Sequence, residues 1–181
     1  MALRFTAAPL DGIWIVESDF RRDERGSFGR FFSAAEFEQQ GLEYRLTEVS
    51  LSCNTQAGTL RGMHYQRAPH AEAKLVRAVT GAVFDVVVDL RPGSATLGKW
   101  FGLELRAESH KALYLPVGFA HGFITLSPGT DVLYQITDTY EPSAATGFCW
   151  DDGEVAIAWP SHPAVVSESD RALPRFSERL A

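Results

Sequence analysis

At 181 residues and 45% apolar content, the chain is long enough for one compact domain with a sizeable core, residues 1–181, and disorder is excluded. Its net charge of -6 and isoelectric point near 5.3 supply no broad basic field. That argues against nucleic acid or an anionic membrane as partner, so an anionic ligand must be met by a local cluster of Arg and Lys.

The predicted elements are mostly short strands. Residues 12–17 are apolar and β-rich, the polar run 19–27 reads as a loop around Asp23-Glu24-Arg25-Gly26, and strand character resumes over 28–32. Ser33-Ala34-Ala35-Glu36 has capping-box spacing and Gly41 supplies a stop, which predicts one helix over about 34–40. From Tyr44 onward strands are expected at 45–54, 59–66, 73–80, 82–90, 99–106, 111–116, 120–126 and 131–138, separated by turns rich in Gly and Pro. This cadence indicates an all-β sandwich or barrel of the jelly-roll type. Cys53 and Cys149 read as reduced thiols. With no signal peptide pattern and no apolar run of about 20 residues, a cytoplasmic location is expected.

Polar groups concentrate in Thr59-Leu60-Arg61-Gly62-Met63-His64-Tyr65-Gln66, which sets a guanidinium, an imidazole, a phenol and an amide in one strand. Strand alternation sends Arg61 and His64 to opposite faces, but the intervening Gly62 is a candidate bulge that turns both into one cavity. In residues 83–90 the even positions Phe84, Val86, Val88 and Leu90 form an apolar face that packs inside or against a second subunit. Asp85, on the other face, has two places to go, solvent or a polar cavity, because an unpaired buried carboxylate is too costly to keep ionised. Lys74, opening the preceding strand, favours the cavity through a Lys74–Asp85 pair across a hairpin. Pro116-Val117-Gly118-Phe119-Ala120-His121 puts a histidine where a strand begins, either as a satisfied core residue or at a barrel mouth. Tyr134 shares a face with Val132 and Ile136, a core position with the hydroxyl at the rim.

Taken in order, Asp23 to Phe28, Gly58 to Gln66, Lys74-Leu75-Val76, Gly81 to Arg91, Pro116 to Phe123, Tyr134 and Trp159-Pro160 resemble the pattern of the dTDP-4-dehydrorhamnose 3,5-epimerase family, the RmlC-like cupins, over roughly residues 10–176. The resemblance implies a cupin-type double-stranded β-helix with one or two short peripheral helices, and a homodimer. It implies inversion of C3 and C5 in a nucleotide-linked 4-keto-6-deoxyhexose, with no metal, nicotinamide or flavin. By similarity, His64 is the base, Asp170 orients it, Tyr134 is the proton donor on the other face, and Lys74 faces the developing oxyanion with Asp85 holding its ammonium. Arg25 and Arg61 meet diphosphate or sugar oxygens, Phe28 lies near the nucleobase, and His121 belongs to the substrate pocket.

The chain departs from that pattern at Glu48 and Ser50, where many members carry Gln and Asn. Arg30 and Ala145 occupy two further sites that are often acidic. A C3-only epimerase shares the same base and acid. Two other readings compete: a metal-dependent cupin using His64, His70, Glu72 and His121, and a silent binding module on the same fold. The first lacks a His-x-His pair and sets Lys74 beside the metal. The second leaves four matched catalytic positions unexplained.

Overall fold

A computed structural model of the protein describes residues 2–178. The strands in chain order are β1 (Leu3–Ala7), β2 (Trp14–Ser18), β3 (Phe20–Asp23), β4 (Gly26–Gly29), β5 (Glu48–Asn54), β6 (Thr59–Gln66), β7 (Lys74–Thr80), β8 (Ala82–Asp89), β9 (Trp100–Arg106), β10 (Lys111–Leu115), β11 (Phe119–Thr125), β12 (Thr130–Ile136), β13 (Ala145–Gly147) and β14 (Val165–Val166). Two short helices, α1 (Ala34–Gln39) and α2 (Glu168–Arg171), lie outside them.

Two sheets face each other in the jelly-roll manner, one ordered β1-β2-β10-β7-β12-β5 and the other β13-β6-β11-β8-β9. The alternation along each strand decides what lies between them. Val76, Leu113 and Val132 from the first sheet meet Val83, Val87, Phe119 and Phe123 from the second in one buried cluster. The side chains of Asp85 and Asp89 share that inner face of β8 and are fully buried. Asp89 accepts from Arg91, Ser94 and Thr96, so its charge is met within the loop that follows its own strand.

Several sequence expectations are corrected. The stretch 28–32 is not one strand. Pairing ends at Gly29, while Phe31 turns in under the buried Arg77, whose guanidinium stacks on its ring at 4.2 Å and donates to its carbonyl at 2.6 Å. The run 19–27 is only partly loop, because β3 and β4 form a two-stranded hairpin. Ser33 caps α1 by position but makes no side-chain cap bond, and Glu36 instead accepts from the Leu3 amide and from Arg30. On the even face of β8, Val86 and Val88 are taken up by the chain itself, covered by Phe148, Val155 and Phe176 of its own C-terminal stretch.

Lys74 and Asp85 are not paired across a hairpin. β7 and β8 are consecutive in sequence but lie in opposite sheets, so neither is the other's hydrogen-bonded neighbour.

The C-terminal cover is held by aromatic burial. Phe148 is fully buried and packs edge-on against Phe176, with ring centroids 5.1 Å apart. Phe148→Ala is expected to lower unfolding free energy by about 3–5 kcal/mol in urea titrations. A loss below about 1 kcal/mol would show that the cover is not part of the core.

Candidate active site

The site starts from a slip in strand pairing. His64 on β6 pairs with His121 on β11, and Arg61 pairs with Phe123. Between these pairs β6 advances three residues and β11 two, so β6 carries one extra residue, a bulge. Gly62 stands there with φ +134°, and a Cβ on it would lie 2.6 Å from the Gly122 Cα. Only glycine fits that backbone and that approach. The bulge brings Arg61 and His64 to the same cavity, the outcome expected from the glycine between them.

A bulge leaves an amide without a ladder partner, and here a distant side chain supplies one. The short strand β14 runs parallel to the start of β6 and delivers α2, whose Asp170 N–H donates to the hydroxyl of the cap residue Ser167 at 3.0 Å. Asp170 then accepts from the Gly62 N–H through Oδ2 at 3.2 Å and meets His64 Nε2 through Oδ1 at 2.8 Å. Burial opposes its charge, but the His64 contacts and the Gly62 N–H outweigh that and hold the carboxyl below the usual carboxylate range.

The cavity lies between the sheets and has a volume of about 560 Å³. Arg61, His64 and His121 enter from one sheet, and Glu48, Ser50, Lys74 and Tyr134 from the other. Each basic group has an acceptor of its own. Lys74 Nζ is 2.8 Å from Glu72 Oε1, His121 Nε2 is 2.9 Å from Asp85 Oδ2, and Arg61 Nε donates to Asn54 Oδ1 at 2.9 Å. Asp85 therefore sits beneath His121, and Glu72 takes the place expected for it beside Lys74. The Tyr134 ring meets His121 edge-on at 5.7 Å, and burial first, then the Asp85 carboxylate, raises its phenol well above the ordinary range.

Arg25 and Phe28 are not brought to this cavity within the chain. Arg25 is bound to Asp23 at the tip of the β3–β4 hairpin, and Phe28 beside it is 69% exposed. Both line a separate surface recess. The four residues weighed as metal ligands do not converge either. His64, Glu72 and His121 are each engaged with a different partner, and His70 lies 3.9 Å from Asp138. Among the described residues no three His, Cys, Asp or Glu side chains form a metal-type cluster.

Sequence reasoning missed Glu72 as the partner of Lys74, although two residues apart in an extended chain is same-face spacing. It also missed Asp138, which the expected strand 131–138 set on the face of Tyr134 by two-residue spacing, and Tyr140, which lies beyond β12 in a loop.

The model of the dTDP-4-dehydrorhamnose 3,5-epimerase family matches residues 7–178. A dTDP-4-dehydrorhamnose 3,5-epimerase of Methanothermobacter thermautotrophicus is 42% identical over 171 residues, covering 93% of this chain and 91% of the relative. A dTDP-4-dehydrorhamnose 3-epimerase of Streptomyces niveus is 38% identical over 170 residues, covering 93% and 82%. The crystal structure of the Legionella pneumophila 3,5-epimerase RmlC in complex with dTDP-4-keto-L-rhamnose superposes with a TM-score of 0.93 at 36% identity, covering 98% of this chain and 94% of that one. With the bulged strand, the buried carboxylate beneath its histidine and likeness along nearly the whole length, this chain belongs to the dTDP-4-dehydrorhamnose 3,5-epimerase family.

Proposed function

We propose that the protein is a sugar-nucleotide epimerase that inverts C3 and C5 of a dTDP-linked 4-keto-6-deoxyhexose. The observation that carries this reading is the placement of His64 and Tyr134 on facing sheets of one cavity, with Lys74 between the same walls. A proton on carbon next to a ketone is acidic because its electron pair moves into the carbonyl. His64 takes that proton. Asp170 accepts from Nε2–H, which fixes the tautomer and leaves Nδ1 as the basic nitrogen. The C–H electrons move to O4, where the Lys74 ammonium meets the negative charge. Tyr134 then returns a proton to the opposite face and the ketone re-forms. A phenol held above its ordinary range remains protonated, which suits a donor. Nothing is oxidised or reduced overall.

Arg61, Glu48, Ser50 and His121 line the same cavity and bind the substrate around this centre. The Arg25 and Phe28 assignments are best accommodated by a homodimer in which the β3–β4 hairpin of one protomer reaches the cavity of its partner. Supporting it are the 69% exposure of Phe28 and the exposed Val49 and Leu51 on the edge strand β5. We place the protein in the cytoplasm, in keeping with its free thiols Cys53 and Cys149.

Incubation in heavy water with dTDP-4-keto-6-deoxyglucose, followed by NMR, should show exchange at C3 and C5. Exchange at C3 alone would make the protein a 3-epimerase, and none would end the epimerase reading. His64→Ala should lose about 10² to 10⁴ of the exchange rate, whereas Tyr134→Phe should keep part of the exchange and block completed inversion. Equal exchange by wild type and His64→Ala shows that another group is the base.

For the dimer, mixing inactive His64→Ala protein with a weak Arg25→Ala/Phe28→Ala variant should restore activity, because one site of the mixed dimer receives an intact hairpin and an intact base. Absence of complementation in a verified mixed dimer counts against the shared site.

Asp170 also predicts a pH effect on stability. Its folded-state carboxyl is held below the unfolded value of about 3.9, so its contribution is present above that pH and is lost as pH falls through the folded value. Asp170→Asn should therefore flatten the acid limb of a plot of stability against pH. An acid limb identical to that of wild type counts against a charged Asp170 in the dyad.

A further inference from the structure

The amide that ends the Thr59–Gln66 motif takes no part in the proton transfers, yet both ends of it are engaged. Gln66 is 8% exposed. Its Nε2 donates to the His70 carbonyl at 2.9 Å and to the Thr139 carbonyl at 3.1 Å, and its Oε1 accepts from the Glu141 N–H at 2.7 Å. The His70 bond closes onto the turn at residues 67–70, which does not line the cavity, and Lys74 is held separately by its ladder pairing with Leu115 and Ile136. The other two hold the loop that carries Asp138 and Tyr140 to the cavity mouth. From the opposite sheet Glu48 Oε1 accepts from the Tyr140 N–H at 3.1 Å. Three successive residues of the rim, Thr139, Tyr140 and Glu141, are thus gripped through their backbones by two side chains, one on each sheet. Tyr140 itself is 63% exposed, so its ring is presented to the cavity by this grip and not by burial.

We propose that Gln66 is a positioning residue that fixes the rim of the substrate cavity, so that substrate affinity depends on it while the proton transfers at His64 and Tyr134 do not. The task requires a planar group that donates at one end and accepts at the other. A carboxylate keeps the acceptor but turns two carbonyls against it, and an aliphatic side chain loses all three bonds. The consequence is a population effect. If the rim is ordered only about one tenth of the time, apparent affinity falls about tenfold, and at saturation the assembled complex turns over as before.

The inference rests on the epimerase reading, and wild-type exchange in heavy water is the control that separates them. No exchange by wild type ends that reading. Given wild-type turnover, Gln66→Leu and Gln66→Glu should each raise KM about tenfold and leave kcat within about threefold. In a Tyr140→Ala background the Gln66→Leu penalty should largely vanish, because the loop no longer carries the ring whose placement it secures. An unchanged KM in folded variants, a fall in kcat at constant KM, or full additivity with Tyr140→Ala overturns the proposal. Hydrogen exchange on wild type provides a test that no folding failure can obscure: the Glu141 amide should be protected, and exchange at the rate of an open loop overturns the grip.

Discussion

Asp170 serves two donors at once, and the site depends on that double use. The extra residue in β6 leaves the Gly62 N–H outside the ladder, and the same carboxylate that accepts it also meets His64. Backbone satisfaction and the orientation of the candidate base are therefore one interaction. A buried amide without a partner is unfavourable by about 1–3 kcal/mol, and a buried carboxylate without donors by more, so one contact relieves the first penalty and, with the His64 ring, the second. The same C-terminal stretch that carries Asp170 also places Phe148 and Phe176 over the outer face of β8.

In the cavity, Lys74 and the two imidazoles each have an acid of their own, while Arg61 donates to the Asn54 amide oxygen. His64 has Asp170, Lys74 has Glu72 and His121 has Asp85. Each pair sets donor and acceptor within 2.9 Å, which offsets the cost of taking these polar groups out of water. His64 stands on one sheet and Tyr134 and Lys74 on the other, so the proposed base and the proposed proton donor face each other across the cavity.

The strands were legible because their signals are local. Alternation along residues 83–90, the Gly-rich and Pro-rich breaks, and Gly41 after α1 each act within a few residues, and the structure places strands and helix close to those positions. The bulge at Gly62 was legible for the same reason, since a glycine between two polar residues of a strand has few other uses. Assigning Asp170 to His64 was different. Nothing in the residues around 170 points to position 64, and the pairing came from family resemblance.

The sequence alone determined the β-rich class and most strand positions from residue 48 onward, because period and turn chemistry are properties of short stretches, whereas β1, β13, β14 and the β3–β4 hairpin were not read from it. The tertiary structure decided who partners whom. It gave Asp85 to His121, because β7 and β8, joined at Gly81, cross into opposite sheets, and that crossing left Lys74 to its near neighbour Glu72. It also set Arg25 and Phe28 on an exposed hairpin away from the cavity, and gathered Gln66, Glu48 and the 139–141 rim from distant parts of the chain. Such contacts depend on how sheets stack and loops return, and pairing over those separations leaves no period in the chain for a reader to follow.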